Sequence, residues 1–123
     1  MEANEIQIGG DHYIKNNYQH WDFVCDSNLH YLLGCATKYI SRWRDKNGLE
    51  DLKKPNHYLI KATEQGVRPP TSPYFNQCVE LFVEQLVHET DKEIIRFICL
   101  GEYQIAQSLI SDLVIGHTVV DKD

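Results

Sequence analysis

No stretch of this chain approaches the roughly 20 consecutive apolar residues that a membrane-spanning helix needs, so no transmembrane segment is expected. Residues 1–8 are polar and carry no targeting pattern, and the expectation is a cytoplasmic protein. None of the four cysteines (Cys25, Cys35, Cys78 and Cys99) stands in a CxxC pair, and their spacing fits no zinc pattern. In the cytoplasm they are expected as reduced thiols. The six histidines form no HxxxH or HExxH pair, which removes the common helix-borne metal sites. GxxxxGKS/T, GxGxxG, GxSxG and the kinase catalytic-loop motif are all missing, so a conventional P-loop, a dinucleotide fingerprint and a nucleophile elbow are excluded. There is no internal repeat and no low-complexity tract.

Positive charge is also scarce. The 123 residues hold 12 Lys and Arg against 18 Asp and Glu, a net charge of −6. Proteins that hold long nucleic acids by their phosphates usually carry a positive balance, so a long polyanion is not the expected partner. The deficit is uneven, however. Residues 38–61 carry seven cations (Lys38, Arg42, Arg44, Lys46, Lys53, Lys54, Lys61) and three carboxylates (Asp45, Glu50, Asp51), a local +4, whereas residues 67–123 carry four cations and nine carboxylates, a local −5. A basic patch set in an acidic chain suits a small anion.

What is present reads as helix. The clearest break is 66–73, where three prolines (Pro69, Pro70, Pro73) preclude a continuous helix and favour an extended linker. It divides a region over about 1–65 from one over about 74–123. In the first, His20 to Cys25 fits a short helix, with Asp26-Ser27-Asn28 offering an N-cap for the next. Residues 29–46 are the strongest helix: Leu29, Leu32, Leu33, Ala36, Ile40 and Trp43 recur at spacings of three and four and form one apolar stripe. Asn47-Gly48 ends it. Residues 49–64 read as a further helix, in which Pro55 marks either a kink or the true start. Beyond the linker, three helices are expected: one with Phe75, Val79, Phe82, Val83 and Leu86, one capped at Thr90-Asp91 with Ile94, Ile95 and Ile98, and one from Tyr103 after Gly101. The β-branched tail 113–120 reads alternatively as a short strand. The fold class expected is mainly all-α, a small helical domain with an acidic helical C-terminal region that packs or oligomerises.

The opposite side of the strongest helix carries Tyr31, Cys35, Lys38, Arg42 and Lys46. Lys38, Arg42 and Lys46 at i, i+4 and i+8 put three cations along one helix side, with Arg44 nearer the apolar border. Arginine forks match phosphate oxygens bidentately and lysine acts as a point charge. Tyr31 and Tyr39 lie on or beside this face, where they can stack on a base. The same stripe also reads as a solvated helix face balanced by Asp45, Glu50 and Asp51. Asp51 reads in two ways, as a structural partner of Arg42 or Arg44 at a helix N-terminus or as a carboxylate holding Mg²⁺ beside a ligand phosphate. Gly9-Gly10-Asp11-His12-Tyr13 reads as a close backbone approach to an anion or as an ordinary turn.

Taken in order, Gly9-Gly10 with His12-Tyr13, Trp21-Asp22-Phe23-Val24, Gly34-Cys35-Ala36-Thr37-Lys38-Tyr39-Ile40-Ser41-Arg42, Lys46-Asn47-Gly48, Glu50-Asp51-Leu52-Lys53-Lys54 and His57-Tyr58-Leu59 resemble a phage-encoded domain-of-unknown-function family labelled nucleotide kinase-like. One of its members phosphorylates deoxynucleoside monophosphates without a P-loop. The resemblance covers about residues 8–64. Cys35 stands where that family usually has Asn, and Pro55 where it usually has Ala. It implies a helical, oligomeric nucleotide-handling protein of the host-cell cytoplasm, and it raises Gly10, His12, Tyr13, Lys38, Tyr39, Arg42, Lys46 and Asp51 as ligand-binding candidates, to which the helix face itself adds Tyr31 and Arg44. As an enzyme the protein would use ATP and Mg²⁺. Without turnover, an oligomer of this kind would capture nucleotides or cyclic nucleotides, as a sponge for nucleotide-derived immune signals would. A third reading makes the acidic C-terminal helices a surface for a host protein.

Overall fold

The structure is a computed structural model that describes residues 18–122, with the side chains of residues 18–118. Among the described residues there are six helices and no strand: α1 (His20–Ser27), α2 (Tyr31–Arg42), α3 (Leu49–Glu64), α4 (Pro73–Val83), α5 (Glu89–Cys99) and α6 (Tyr103–Lys122). The all-α expectation therefore holds. None of these helices is long and apolar enough to cross a membrane.

Several boundaries differ from the sequence expectation, each for a local reason. Asp26-Ser27-Asn28 does not cap α2. Asn28 instead closes α1 in the left-handed conformation (φ 54°), its N–H reaching the Cys25 carbonyl, a conformation that Asn tolerates better than most residues. The cap of α2 is His30, whose Nδ1 accepts the Leu32 N–H at 3.1 Å. Helix α2 stops at Arg42, and residues 43–48 form a turn closed by the Gly48 N–H on the Trp43 carbonyl at 2.8 Å, with Gly48 at φ 58°. Pro55 is not the start of α3; it lies inside the helix and is buried. It has no N–H to offer the Asp51 carbonyl, and an interior proline costs a helix about 3 kcal/mol. Burial of Leu52, Leu59 and Ala62 against α2 offsets that cost. Helix α5 begins at Glu89, with Asp91 buried in its first turn and His88 as N-cap. The tail that also read as a strand is helix to Lys122. Ala106, Ile110, Leu109, Leu113 and Val114 fall at helical spacing against the core, and tertiary packing of this kind overrides the β preference of the tail.

Residues 66–72 are pinned to the α5–α6 corner. Arg68 Nη1 donates to the Gly101 carbonyl at 3.0 Å, and the Tyr103 hydroxyl donates to the Val67 carbonyl at 2.6 Å. Ser72 then caps α4 by accepting the Phe75 N–H at 3.1 Å, with Pro73 at the first helical position. The core draws on both sides of this connection: Phe23, Leu33, Ile40, Leu52 and Leu59 before it, Phe75, Val83, Ile94, Ile95, Ile98 and Ile110 after it, all fully buried. Helix α1 packs on α4 through Phe23 and Phe82, whose rings stack at 5.0 Å and 3°. That contact sets the N-terminus of α1 beside the C-terminal end of α4.

Candidate functional site

A cavity of about 650 Å³ opens where the first turn of α1, the charged side of α2 and the end of α4 converge. That volume lies in the range of small-molecule sites. One wall is Lys38, Ser41 and Arg42 of α2, continued by Arg44, Asp45 and Lys46 of the following turn. The second is Tyr18, Gln19, His20 and Trp21, and the third is Phe82 with residues 85–88 and Asp91. Gln85 joins the last two walls, accepting the Tyr18 N–H at 3.3 Å and donating to the Tyr18 carbonyl at 2.6 Å. The lining thus holds four cations and two carboxylates, a surplus of +2 facing a largely apolar wall.

The cations are held differently. Arg42 Nε donates to Asp51 Oδ2 at 3.2 Å, and Lys54 Nζ reaches Asp51 Oδ1 at 3.3 Å. The same carboxylate accepts the Asn47 N–H and the Asn47 side-chain amide. Asp51 is fully buried. Burial alone would raise its pKa, but the Arg42 guanidinium, the Asn47 donors and Lys54 together hold it below the usual carboxylate range. Arg44 forms a fork to Asp91, Nε to Oδ2 at 2.8 Å and Nη2 to Oδ1 at 3.2 Å, and its guanidinium lies 4.2 Å over the Trp43 ring. Trp43 Nε1 donates to the same Asp91 at 3.3 Å. Lys38, exposed, has no carboxylate partner among the described residues.

Tyr39 does not line the cavity. Its ring stacks on Tyr58 at 6.0 Å and 16°, with Arg42 at 5.2 Å and Lys54 at 4.8 Å from its centroid. Tyr31 stands exposed outside the cavity lining. Gly10, His12 and Tyr13 lie outside the described residues. Of the residues singled out in the sequence, the structure brings Lys38, Arg42, Arg44 and Lys46 to one cavity, and places Asp51 and Tyr39 behind Arg42.

Sequence reasoning missed His20. Its Nε2 lies 2.8 Å from Thr37 Oγ1. The Thr37 hydroxyl also lies within hydrogen-bond reach of the Leu33 and Gly34 carbonyls, at 2.9 and 3.1 Å. Burial, reinforced by the positive charge of Lys38, pushes the His20 pKa down to about 4. The ring is therefore neutral at pH 7, packed edge-on to Phe23 and Phe82. No spacing links His20 to Thr37; the pair exists only once α1 lies across α2. Of the apolar wall, Phe82 and Leu86 were legible only as a helix's packing face, and Val87 was not singled out.

A nucleotide phosphotransferase would need Mg²⁺. Among the described residues no three His, Cys, Asp or Glu are placed to hold a metal ion. The carboxylates of the cavity are Asp45 and Asp91, and Asp91 is engaged by Arg44 and Trp43. Both Asp51 oxygens are engaged as well. These residues do not fit a dedicated magnesium site.

Residues 9–60 match the model of a family described as protein of unknown function, DUF3310. The match covers less than half of the chain. It takes in the charged wall and the first turn of α1, and leaves out the wall built by Phe82, residues 85–88 and Asp91. No curated protein and no solved structure matches the chain.

Proposed function

We propose that the cavity binds a nucleotide-class ligand, its phosphate against Lys38 and Arg42 and its base against Trp21, Phe82 and Leu86. The observation that carries this reading is the convergence of the α2 cations on a cavity that Trp21, Phe82, Leu86 and Val87 also line. A phosphate needs charge and directed donors, and a base needs flat apolar surface. Ser41 and the first turn of α1 add polar groups between the two. The DUF3310 match assigns no activity, so the reading rests on this geometry and on the sequence resemblance to nucleotide kinase-like proteins.

Between turnover and capture, the engaged carboxylates favour capture. Phosphoryl transfer relies on metal-bridged phosphates and a group that orients the nucleophile, and the cavity supplies one carboxylate, Asp45, outside the Arg44–Asp91 pair. The protein is then a holder of nucleotides or nucleotide-derived signals.

The test is to incubate the protein with nucleoside mono-, di- and triphosphates and cyclic dinucleotides, with ATP and Mg²⁺ present. Filtrate and heat-released material are then chromatographed. A species depleted from the filtrate and released intact supports capture. New nucleotide species in the filtrate replace capture with phosphotransfer. A panel that passes through unbound refutes nucleotide binding and returns attention to the acidic surface of α4–α6.

A further inference from the structure

Arg42 and Arg44 stand two residues apart and line the same cavity. We propose that they divide the work. Arg42 grips the anionic group of the ligand, Asp51 is the positioning residue that aims it, and Arg44 is a tether that makes no ligand contact. This rests on the nucleotide-binding reading of the cavity.

A guanidinium has five N–H donors in a planar fork. Arg42 gives Asp51 only its Nε, at 3.2 Å. Among the described residues its two terminal nitrogens have no hydrogen-bond partner, and the side chain keeps 32% of its surface exposed. The two-pronged end that fits phosphate oxygens is therefore unspent. Its direction is fixed from two sides. The guanidinium lies against Tyr39, which is itself backed by Tyr58. Asp51 cannot swing, because four donors hold its two oxygens inside the fold. Lys38, one helical turn before Arg42 on the same wall, adds a point charge.

Arg44 has committed the Nε–Nη2 edge of its guanidinium, two of its five donors, to one buried carboxylate. Nε and Nη2 both engage Asp91, which is 5% exposed and also receives the Trp43 indole N–H. Turning Arg44 to a ligand would strip a buried carboxylate of its charge partner, an arrangement that is strongly unfavourable. Asp91 belongs to α5 while Arg44 follows α2, so this fork ties two regions of the chain together.

The test uses charge-conserving variants of the full chain, titrated with AMP and with inorganic phosphate by ³¹P NMR, alongside thermal melts. Arg42→Lys keeps the charge and removes the fork; its affinity for AMP should fall by about tenfold or more, the value of a charge-assisted hydrogen bond, with little change in melting temperature. Arg44→Lys should show the reverse, affinity within about threefold of wild type and a lower melting temperature. Asp51→Asn should weaken binding, and Arg42→Lys/Asp51→Asn should bind no worse than Arg42→Lys alone. That non-additivity marks action through Arg42, which a merely structural role would not produce. Should Asp51→Asn fail to fold, the contrast between the two arginines decides alone. Loss of affinity in Arg44→Lys with retention in Arg42→Lys overturns the division, and additive losses overturn the role of Asp51. Wild-type protein that binds neither probe overturns the division, while the nucleotide reading itself falls only if the whole nucleotide panel also passes unbound.

Discussion

Among the described residues, the two sides of the 66–72 connection each bury one carboxylate, and the two acids do opposite kinds of work. Asp51, in α3, gathers Arg42, Asn47 and Lys54, none more than nine residues away. Asp91, in α5, gathers Trp43 and Arg44, 48 and 47 residues away. The first network shapes a local surface and aims a cation. The second joins the regions and consumes a cation. Burial of a charge requires a partner in either case, but sequence distance decides what the partnership accomplishes: a local pair organises a site, and a distant pair organises a fold. The cavity lies where the two meet, its charge supplied by the α2 side and its apolar wall by α4 and the turn after it.

The α1–α4 seam is one apolar tie between the regions, and breaking it should exceed any effect on the ion pairs. Phe23→Ala removes a fully buried ring stacked on Phe82, and the loss should be about 4 kcal/mol in chemical denaturation, as expected for a large aromatic truncated in a core. A loss under about 1 kcal/mol would show that α1 is peripheral. A second effect on the same seam comes from pH. The folded pKa of His20, about 4, lies below its ordinary 6.5, so the unfolded chain takes up the proton first. The stabilisation is full above about pH 6.5 and declines as pH falls toward 4, by about 3 kcal/mol across the window. Denaturation midpoints measured from pH 7.5 to 4 should slope for wild type and flatten for His20→Gln. Asp51, also depressed, loses its contribution in a separate and more acid window, below the ordinary carboxylate range. Equal slopes in both proteins would remove His20 as the source. Next in size, Asp91→Ala should cost about 2 kcal/mol, since it strands an indole N–H and an arginine that still reaches water. No change in the thermal melt would mean that the regions are held by apolar packing alone.

The same contrast between local and distant explains what the sequence showed. Period-3.6 patterning located the helices, because Leu33, Ala36 and Ile40 answer to each other within three turns. The pairing of Asp51 with Arg42 was legible, since both sit at the ends of adjacent helices. So was the cationic side of α2, though as a stripe that fitted a solvated face equally well. The cavity that receives it depends on Phe82 and Leu86, which in the sequence read only as core-facing residues of another helix, and on Val87, which carried no reading there. His20 acquires its character from Thr37 across a helix crossing, and Asp91 looked like a cap because an acid in a first turn usually is one. Asn28 was misassigned because a side chain suited to an N-cap is also suited to a left-handed C-cap. For the cavity, His20 and Asp91 the missing information was a contact between elements, which no window along the chain contains.

The smallest expected effect sharpens the comparison from the other end. Arg96 and Glu80 form a two-bond pair between α4 and α5, at 3.0 and 2.9 Å, as well aligned as the Arg44–Asp91 fork. Its geometry also holds Arg96 above the usual arginine range through the Glu80 hydrogen bonds. Unlike Asp91, though, Glu80 stays half exposed. Water already solvates both ions there, and exposed pairs contribute about 0–1 kcal/mol. Arg96→Ala should therefore change the denaturation midpoint far less than Asp91→Ala does, and added salt should erase most of the difference. Matching losses from the two substitutions would show that hydrogen-bond geometry sets the worth of an ion pair in this fold. Unequal losses would show that burial does, and that Asp91 joins the regions because it lies inside.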